Sequence, residues 1–132
     1  MTMQRVDSES RYAQTIGFSQ AVRTGGFVFA AGMSAIDAAG DAVGGDDPYL
    51  QAQECLRKAT DALGECGATA AGVVQTRMYL VDTSHWEQVG RAHAEAFGAN
   101  RPAATMVVVK ELLDPRMLVE IELVAFVEPT SC

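Results

Sequence analysis

The sequence predicts an α+β fold: a two-layer sandwich of one mixed β-sheet with two helices packed on a single face. Apolar residues recur at helical spacing in two segments, whereas five other segments are rich in β-branched residues or alternate between apolar and polar ones. These segments follow one another in the order ββ, α, β, α, ββ. With 132 residues and no repeat or linker, the chain is expected to form one domain over residues 1–132.

The first two strands are predicted at residues 16–23 and 26–33, joined by a tight turn at Gly25-Gly26. A loop rich in turn-forming residues follows at 37–48.

The first helix is predicted to begin with Asp47 as N-cap and Pro48 as its first residue, and to end at Gly67. Its apolar stripe consists of Ala52, Leu56, Ala59 and Leu63.

The second helix is predicted to begin with a capping box formed by Ser84 and Glu87, and to end near Gly98. Its apolar stripe consists of Trp86, Val89, His93 and Phe97. His93 is therefore expected to pack in the protein with a hydrogen bond, rather than to act in catalysis.

The other strands are predicted at 72–81, 102–110 and 117–127. In the last of these, one face suits contact with the helices and carries Val119, Ile121, Leu123, Ala125 and Val127. The opposite face carries Glu120, Glu122, Val124 and Phe126, and segment 102–110 is apolar on both faces. Since the helices cover only one face of the sheet, the other face needs a partner, and we expect a homo-oligomer, most simply a closed ring.

The composition argues against several classes of protein. With Lys+Arg 10 against Asp+Glu 17 and a net charge of −7, the chain lacks the basic surface that nucleic acid requires, so RNA binding is disfavoured. The N-terminus has no apolar region typical of a signal peptide, and no apolar run is long enough for a membrane span. Cys55 and Cys66 lie too far apart on one helix to form a disulfide. We therefore expect a cytoplasmic protein with reduced thiols.

No metal or cofactor site is expected. His85 and His93 are eight residues apart, about 12 Å along a helix, and cannot share a metal ion. No cysteine–histidine cluster or phosphate-binding glycine loop occurs, and Ser19 lies in a strand context unlike that of a serine nucleophile.

The remaining candidates for chemistry are Glu120 and Glu122, two residues apart on one strand face. One interpretation is a solvated or interface face without a chemical role. The other is that one acid is enclosed at a subunit boundary by apolar side chains. Loss of solvation would then raise its pKa toward a value useful for general acid–base catalysis.

Five segments occur in the order and spacing of the Rid (YjgF) family, namely GFSQAVRTGGFVFAAGM, the helix from Asp47 to Gly67, GVVQTRMYLVD, FGANRPAATMVVV and LVEIELVAF. The chain resembles this family of reactive intermediate/imine deaminases, also labelled endoribonuclease L-PSP or translation inhibitor, from about residue 16 to 127. The resemblance implies a chorismate-mutase-like fold and a homotrimer with three clefts between subunits.

Deaminases of this family hydrolyse enamines and imines such as 2-aminoacrylate, and the resemblance implies which residues line the cleft. The family's arginine, which holds the substrate carboxylate, falls on Ala104, and only the glutamate is retained, as Glu120. The other cleft positions fall on Phe18, Ala31, Met33, Gly90 and Met106. Arg91 and Arg101 lie near these segments and could supply another anchor, or could simply be solvated charges.

Three functions follow from these residues. The first is a Rid-like hydrolase acting at Glu120 on an enamine, imine or related metabolite that is larger, less polar or differently charged than 2-aminoacrylate, such as a 2-aminomuconate-like enamine. The second is a trimer that binds a small ligand without catalysis or acts like a chaperone. The third, RNA cleavage, follows from the family's older labels alone, and the acidic composition counts against it.

Overall fold

The computed structural model describes residues 3–129, in which six strands form one sheet and two long helices pack against one of its faces. The strands are β1 Gln4–Val6, β2 Ala21–Thr24, β3 Phe27–Met33, β4 Val73–Leu80, β5 Ala103–Val108 and β6 Val119–Phe126. The helices are α1 Ala13–Ile16, α2 Pro48–Glu65 and α3 Trp86–Phe97, with short 3-10 turns at Ala70–Gly72 and Thr83–His85. The predicted α+β sandwich is confirmed.

The strands lie in the order β1-β2-β3-β6-β4-β5. β4 and β5 run parallel, since α3 connects them, and all other neighbouring strands run antiparallel. β6 therefore lies in the middle of the sheet, hydrogen-bonded to β3 on one side and to β4 on the other.

The core lies between the helices and the covered face of the sheet. As predicted, Asp47 caps α2, its carboxylate accepting from the backbone N–H groups of Tyr49 (2.9 Å) and Leu50 (3.1 Å). The predicted stripe of α2 is buried against the sheet, and so are Val119, Ile121, Leu123 and Ala125 of β6. Apolar burial of this kind contributes roughly 25 cal/mol per Å² to the stability of the fold.

The N-terminal part of the chain differs from the prediction. Residues 16–20 are not a strand: Ile16 ends the four-residue helix α1, Gly17 follows in a left-handed conformation with φ 83°, and β2 begins only at Ala21. β1, a three-residue strand at the edge of the sheet, was not predicted. Both elements are too short to show a periodic pattern in the sequence.

The start of α3 also differs. The predicted capping box is wrong, because Ser84 lies in a 3-10 turn whose cap is Asp82; that carboxylate accepts from Ser84 N at 2.8 Å. Trp86, the first residue of the helix, is 55% exposed and does not belong to the buried stripe, which begins at Val89.

We call the sheet face that the helices leave uncovered the open face. It carries a cluster of aromatic rings: Phe27 and Phe29 are each 45% exposed, and Phe126 is 37% exposed. The ring centroids of Phe27 and Phe126 are 5.1 Å apart, and those of Phe27 and Phe29 are 6.3 Å apart. A contiguous apolar cluster of this size on one face is typical of an interaction surface.

Among residues 3–129, no helix has both the length and the apolarity needed to cross a membrane. Cys55 and Cys66 are buried and unbridged. Cys132 lies outside the described residues.

Candidate functional site

Two carboxylates stand side by side on the open face, Glu120 and Glu122 of β6. Residues 119, 121, 123 and 125 of this strand are buried beneath the helices, so the intervening side chains point the opposite way. Both acids are half-buried. The alternation predicted for this strand is confirmed, and it places both acids on the face that no helix covers.

A β-bulge in β3 makes room for the Glu120 side chain. The register between β3 and β6 shifts between Ala30 and Met33, which leaves Ala31 and Gly32 in the bulge. A Cβ atom on Gly32 would lie 2.5 Å from Oε2 and 2.8 Å from Cδ of Glu120. Only glycine permits the carboxylate to occupy this position without displacement.

The Glu120 carboxyl has an altered acidity. Burial raises the pKa of Glu120 above its ordinary value, and the negative charge of Glu122 raises it further. A carboxyl group that holds its proton closer to neutral pH is suited to general acid–base chemistry.

Glu122 is held by two side chains of the neighbouring strand β4. The Tyr79 hydroxyl donates to Oε1 of Glu122, and Arg77 Nη1 lies 3.7 Å from the same oxygen. The hydrogen bond to Glu122, followed by burial, raises the pKa of Tyr79, so that the phenol keeps its proton. The open face thus carries a polar cluster of Tyr79, Arg77, Glu120 and Glu122.

Four of the predicted site residues, Phe18, Ala31, Met33 and Glu120, lie on or beside β3 and β6. The backbone N–H of Ala31 donates to the carbonyl of Gln20 at 2.9 Å, which places the segment after α1 beside the bulge. Met33, however, is 4% exposed and lies in the core. Its side chain is turned away from the open face.

Ala104 and Met106, on the edge strand β5, belong to the other face of the sheet. Their register partners on β4 are Thr76 and Met78, both buried beneath the helices. Since residues paired across strands share a face, Ala104 and Met106 lie on the helix-covered side, opposite to Glu120. Ala104 is exposed at the sheet edge, and Met106 packs partly on the core.

Gly90 and Arg91 lie on α3. A Cβ atom on Gly90 would meet nothing within 4 Å, so the space beside this turn of the helix is open. The Arg91 guanidinium lies over the ring of Tyr49, 4.0 Å from its centroid, and Tyr49 in turn donates a hydrogen bond to Glu95. This contact holds Arg91 against α2 through a cation–π interaction.

Arg101 lies in the turn between α3 and β5, with a left-handed φ of 53°. Its backbone N–H donates to the Phe97 carbonyl at 2.8 Å. Together with His93, Ala94, Phe97, Gly98 and Pro102 it borders a shallow depression on the helix side of the sheet. Within the described part of the chain, the Arg101 guanidinium has no ion-pair partner.

His93 packs as the sequence predicted. Its Nε2 lies 2.8 Å from Thr76 Oγ1, its ring packs edge-on against Phe97, and burial lowers the pKa of the imidazole.

The predicted site residues thus form two groups on opposite faces of the sheet, one around Glu120 and one around Ala104. Three residues of the Glu120 group were not predicted: Gly32, Tyr79 and Arg77. Gly32 and Tyr79 have no local motif, and their proximity to Glu120 depends on the strand order β3-β6-β4. Among residues 3–129, no group of three or more His, Cys, Asp or Glu side chains could hold a metal ion.

Comparison with known families shows the family to which the chain belongs. The family model of endoribonuclease L-PSP matches residues 8–127. The chain belongs to this family. The same family is called YjgF or Rid, and the predicted membership of the Rid family is confirmed.

The chain is similar to proteins from several organisms. SCO2049 of Streptomyces coelicolor is 37% identical over 125 residues, covering 94% of this chain and 92% of that protein. A RutC family protein of Pyrococcus abyssi is 34% identical over 113 residues, covering 84% of this chain and 87% of that protein. The crystal structure of Rv2704 from Mycobacterium tuberculosis, described as a member of the YjgF/YER057c/UK114 family, is 43% identical, with a TM-score of 0.86 and coverage of 96% and 100%.

Proposed function

We propose that this Rid-family chain is a hydrolase that converts an enamine or imine to a carbonyl compound and ammonia, with Glu120 as the general acid–base group. The observation that carries the proposal is the Glu120 carboxyl on the open face. It is half-buried, fitted against the Gly32 bulge, and has a raised pKa. Such a carboxyl holds its proton to higher pH than an exposed one, and it can both donate a proton and take one back.

The reaction consumes one water and moves protons in each step. Protonation of the enamine at carbon gives the iminium ion, and water adds to the iminium carbon and loses a proton to give the carbinolamine. The nitrogen then gains a proton and the hydroxyl loses one as the C–N bond breaks, which releases ammonia and leaves the carbonyl. Glu120 would supply the proton in its acid form and accept one from the attacking water in its ionised form.

The proposed site lies between two copies of the chain. Within one chain the Glu120 group and the Ala104 group lie on opposite faces of the sheet, so only a second copy can bring one group against the other. The exposed aromatic cluster of the open face fits self-association. A closed homotrimer with three such clefts is the arrangement that we propose.

The proposed substrate differs from 2-aminoacrylate. A charge-assisted hydrogen bond contributes roughly 1.5–3 kcal/mol, and a bidentate arginine makes two. Ala104 makes none, and Phe18, Ala31 and Met106 are apolar. The cleft is therefore suited to an enamine or imine that is larger or less polar than 2-aminoacrylate. Arg101, whose guanidinium has no ion-pair partner in the described part of the chain, is a better candidate than Arg91 for a replacement anchor.

A second candidate function is the binding of a small apolar ligand without turnover. The same apolar positions favour it, because Phe18 and Ala31 offer no hydroxyl and Ala104 offers no positive charge to a reacting molecule. RNA cleavage has no support beyond the family's label, and the net charge of −7 opposes it. We place the protein in the cytoplasm, which the free thiols of Cys55 and Cys66 support.

Ammonia release from freshly generated 2-aminoacrylate and from larger enamines tests the proposal. Wild type is compared with Glu120→Gln, Ala104→Arg and the matched control Glu111→Gln, which removes an exposed carboxylate elsewhere. We expect wild type to prefer a larger enamine, Glu120→Gln to be inactive, Glu111→Gln to match wild type, and Ala104→Arg to gain activity on 2-aminoacrylate. If no enamine is hydrolysed but an apolar ligand binds with micromolar affinity, the second candidate function is correct.

A further inference from the structure

The polar cluster on the open face contains one residue with an unusual position. Tyr79 is the register partner of Glu120 across β4 and β6, and yet its hydroxyl donates to Glu122, the next acid along the strand. The phenol therefore links the position opposite Glu120 to the carboxylate of Glu122. Arg77, the register partner of Glu122, lies 3.7 Å from the same oxygen.

We propose that Glu122 is a positioning residue for Glu120, and that Tyr79 and Arg77 fix its carboxylate at a set place beside the acid. The negative charge at that place favours the protonated form of Glu120. The catalytic meaning of this arrangement rests on the proposed function, whereas the arrangement itself can be measured without any substrate.

The surroundings of Glu120 contain few other charges. β4 contributes Tyr79 and Arg77, and β6 contributes Glu122. β3 contributes only Ala31 and Gly32 of the bulge, which carry no charge.

From the helix layer, the nearest titratable group is the Cys55 thiol of α2. Burial, together with smaller effects of the neighbouring carboxylates of Glu120 and Glu54, raises the pKa of this thiol far above its usual range, so it is neutral. Lys58 on the same helix donates to the carbonyls of Ser34 at 2.8 Å and Ile36 at 3.0 Å. Glu122 is therefore the charge that acts on Glu120.

The relative size of the effects on the pKa of Glu120 agrees with the positioning role of Glu122. Burial is the largest cause of the raised pKa of Glu120, and the charge of Glu122 is the second. Glu120 and Glu122 lie two residues apart on the same face of β6, and a charge fixed in one place acts more strongly than one that can turn toward solvent. A donor that holds Glu122 in position therefore strengthens its effect on Glu120.

Titration of Glu120 in the full-length chain tests the inference. Carboxyl ¹³C NMR on protein labelled at glutamate follows each acid, and the Glu120 signal is assigned by its loss in Glu120→Gln. The variants are Glu122→Gln, which removes the charge but retains an oxygen that can accept from Tyr79, and Tyr79→Phe, which retains the charge but removes the donor. Glu111→Gln controls for the loss of one negative charge.

In Glu122→Gln we expect the Glu120 midpoint to fall toward the ordinary carboxyl value without reaching it, since burial remains. In Tyr79→Phe it falls by a smaller amount, and in Glu111→Gln it stays at the wild-type value. A midpoint that is unchanged in Glu122→Gln overturns the inference, and one unchanged in Tyr79→Phe overturns the role of the phenol. A side chain with only a structural role would not move this titration.

The two proposals fail in different ways. If the Glu120 midpoint shifts as expected but no enamine is hydrolysed, Glu122 does act on Glu120 and the proposed hydrolase function is wrong. If enamine hydrolysis depends on Glu120 but the Glu120 midpoint is unchanged in Glu122→Gln, the hydrolase function stands and the positioning role of Glu122 is wrong. Where turnover is present, the limb of the pH profile of kcat/KM that reports Glu120 should move in the same direction as the NMR midpoint.

Discussion

At the scale of single residues, the proposed chemistry depends on the absence of a side chain at Gly32. Gly32 lies in the bulge of β3. Because it has no Cβ, the Glu120 carboxylate fits into the space beside it. The atoms that a Cβ would meet are the far end of a flexible side chain rather than backbone. The carboxylate can therefore move away. A larger residue at position 32 would displace the Glu120 carboxylate and leave the fold intact.

We predict that Gly32→Ala preserves the fold but impairs the reaction. The free energy of unfolding should change by less than about 1 kcal/mol, because the clash is relieved by the Glu120 side chain. Turnover of the enamine that wild type hydrolyses should fall on the order of 100-fold, because the acid is displaced by about 1 Å. Thermal unfolding and ammonia release measure the two effects.

The control for this substitution is Gly64→Ala near the end of α2, where a Cβ would meet nothing within 4 Å. It should stabilise the protein by roughly 0.5–1 kcal/mol and leave turnover at the wild-type level. Full activity in Gly32→Ala would show that the position of the Glu120 carboxylate does not matter.

Only part of this cluster could be predicted at the residue scale. Strand alternation alone placed Glu120 and Glu122 on one face. Gly32 and Tyr79 reach Glu120 across strand pairs that join distant parts of the chain, and nothing in the local sequence reveals which strands become neighbours.

At the scale of elements, the loop that leads into β6 is fixed by one buried carboxylate. Asp114 is 5% exposed and accepts from Arg116 at Nη2 (2.8 Å), at Nε (3.1 Å) and at the backbone N (2.9 Å). These hydrogen bonds, with the charge of Arg116, lower the pKa of Asp114 to about 2. The loop leads directly into Val119, the first residue of β6, so Asp114 helps to set where β6 begins.

We predict that Asp114 stabilises the folded protein and that this stabilisation is lost in acid. Its pKa in the folded protein is about 2, whereas in the unfolded chain it is about 3.9. The stabilisation is therefore complete above the unfolded value and is lost as the pH falls from about 4 to about 2. Asp114→Asn should be less stable than wild type at neutral pH, and the difference should shrink over that window.

Urea unfolding at a series of pH values measures this difference. Asp46→Asn, at an exposed position, serves as the control and should follow wild type throughout. A constant difference between Asp114→Asn and wild type from neutral pH down to about 2 would contradict the assignment.

The two long helices also show where a sequence pattern is enough to predict the bounds of an element. α2 was predicted with its cap, its stripe and its end, because Asp47, Pro48 and Gly67 are local signals on a long periodic segment. Before α3, Asp82 caps the 3-10 turn by accepting from Ser84 N, so Ser84 lies inside that turn and is not the N-cap of the helix. α3 begins after His85, whose side chain makes no capping hydrogen bond.

At the scale of the whole molecule, one face of the sheet remains uncovered and carries exposed aromatic rings. The predicted need for a partner rested on strands that are apolar on both faces, and the exposed rings of Phe27, Phe29 and Phe126 fit that expectation. Together with the separation of the two site groups, these rings make self-association a condition for a complete cleft.

We predict that Phe29→Lys converts the protein from an oligomer to a folded monomer. A lysine within the aromatic cluster would have to lose its hydration on association, while in the monomer it remains in water. Sedimentation velocity at micromolar concentration should show a trimer for wild type and a monomer for the variant, with loss of any ammonia release.

Leu50→Lys is the matched control, because Leu50 is 44% exposed on α2 rather than on the open face. It should sediment as wild type does. A wild-type monomer would remove the basis for a cleft between subunits.

The central place of β6 has a consequence for the biosynthesis of this protein. β3 and β4 are not hydrogen-bonded to each other; each pairs with β6, which is made after both of them. While the ribosome is still translating the chain before residue 119, the sheet consists of two separate halves with unpaired inner edges. The nascent chain cannot complete the hydrogen bonding of this sheet until β6 emerges, so those edges are exposed to aggregation in the meantime.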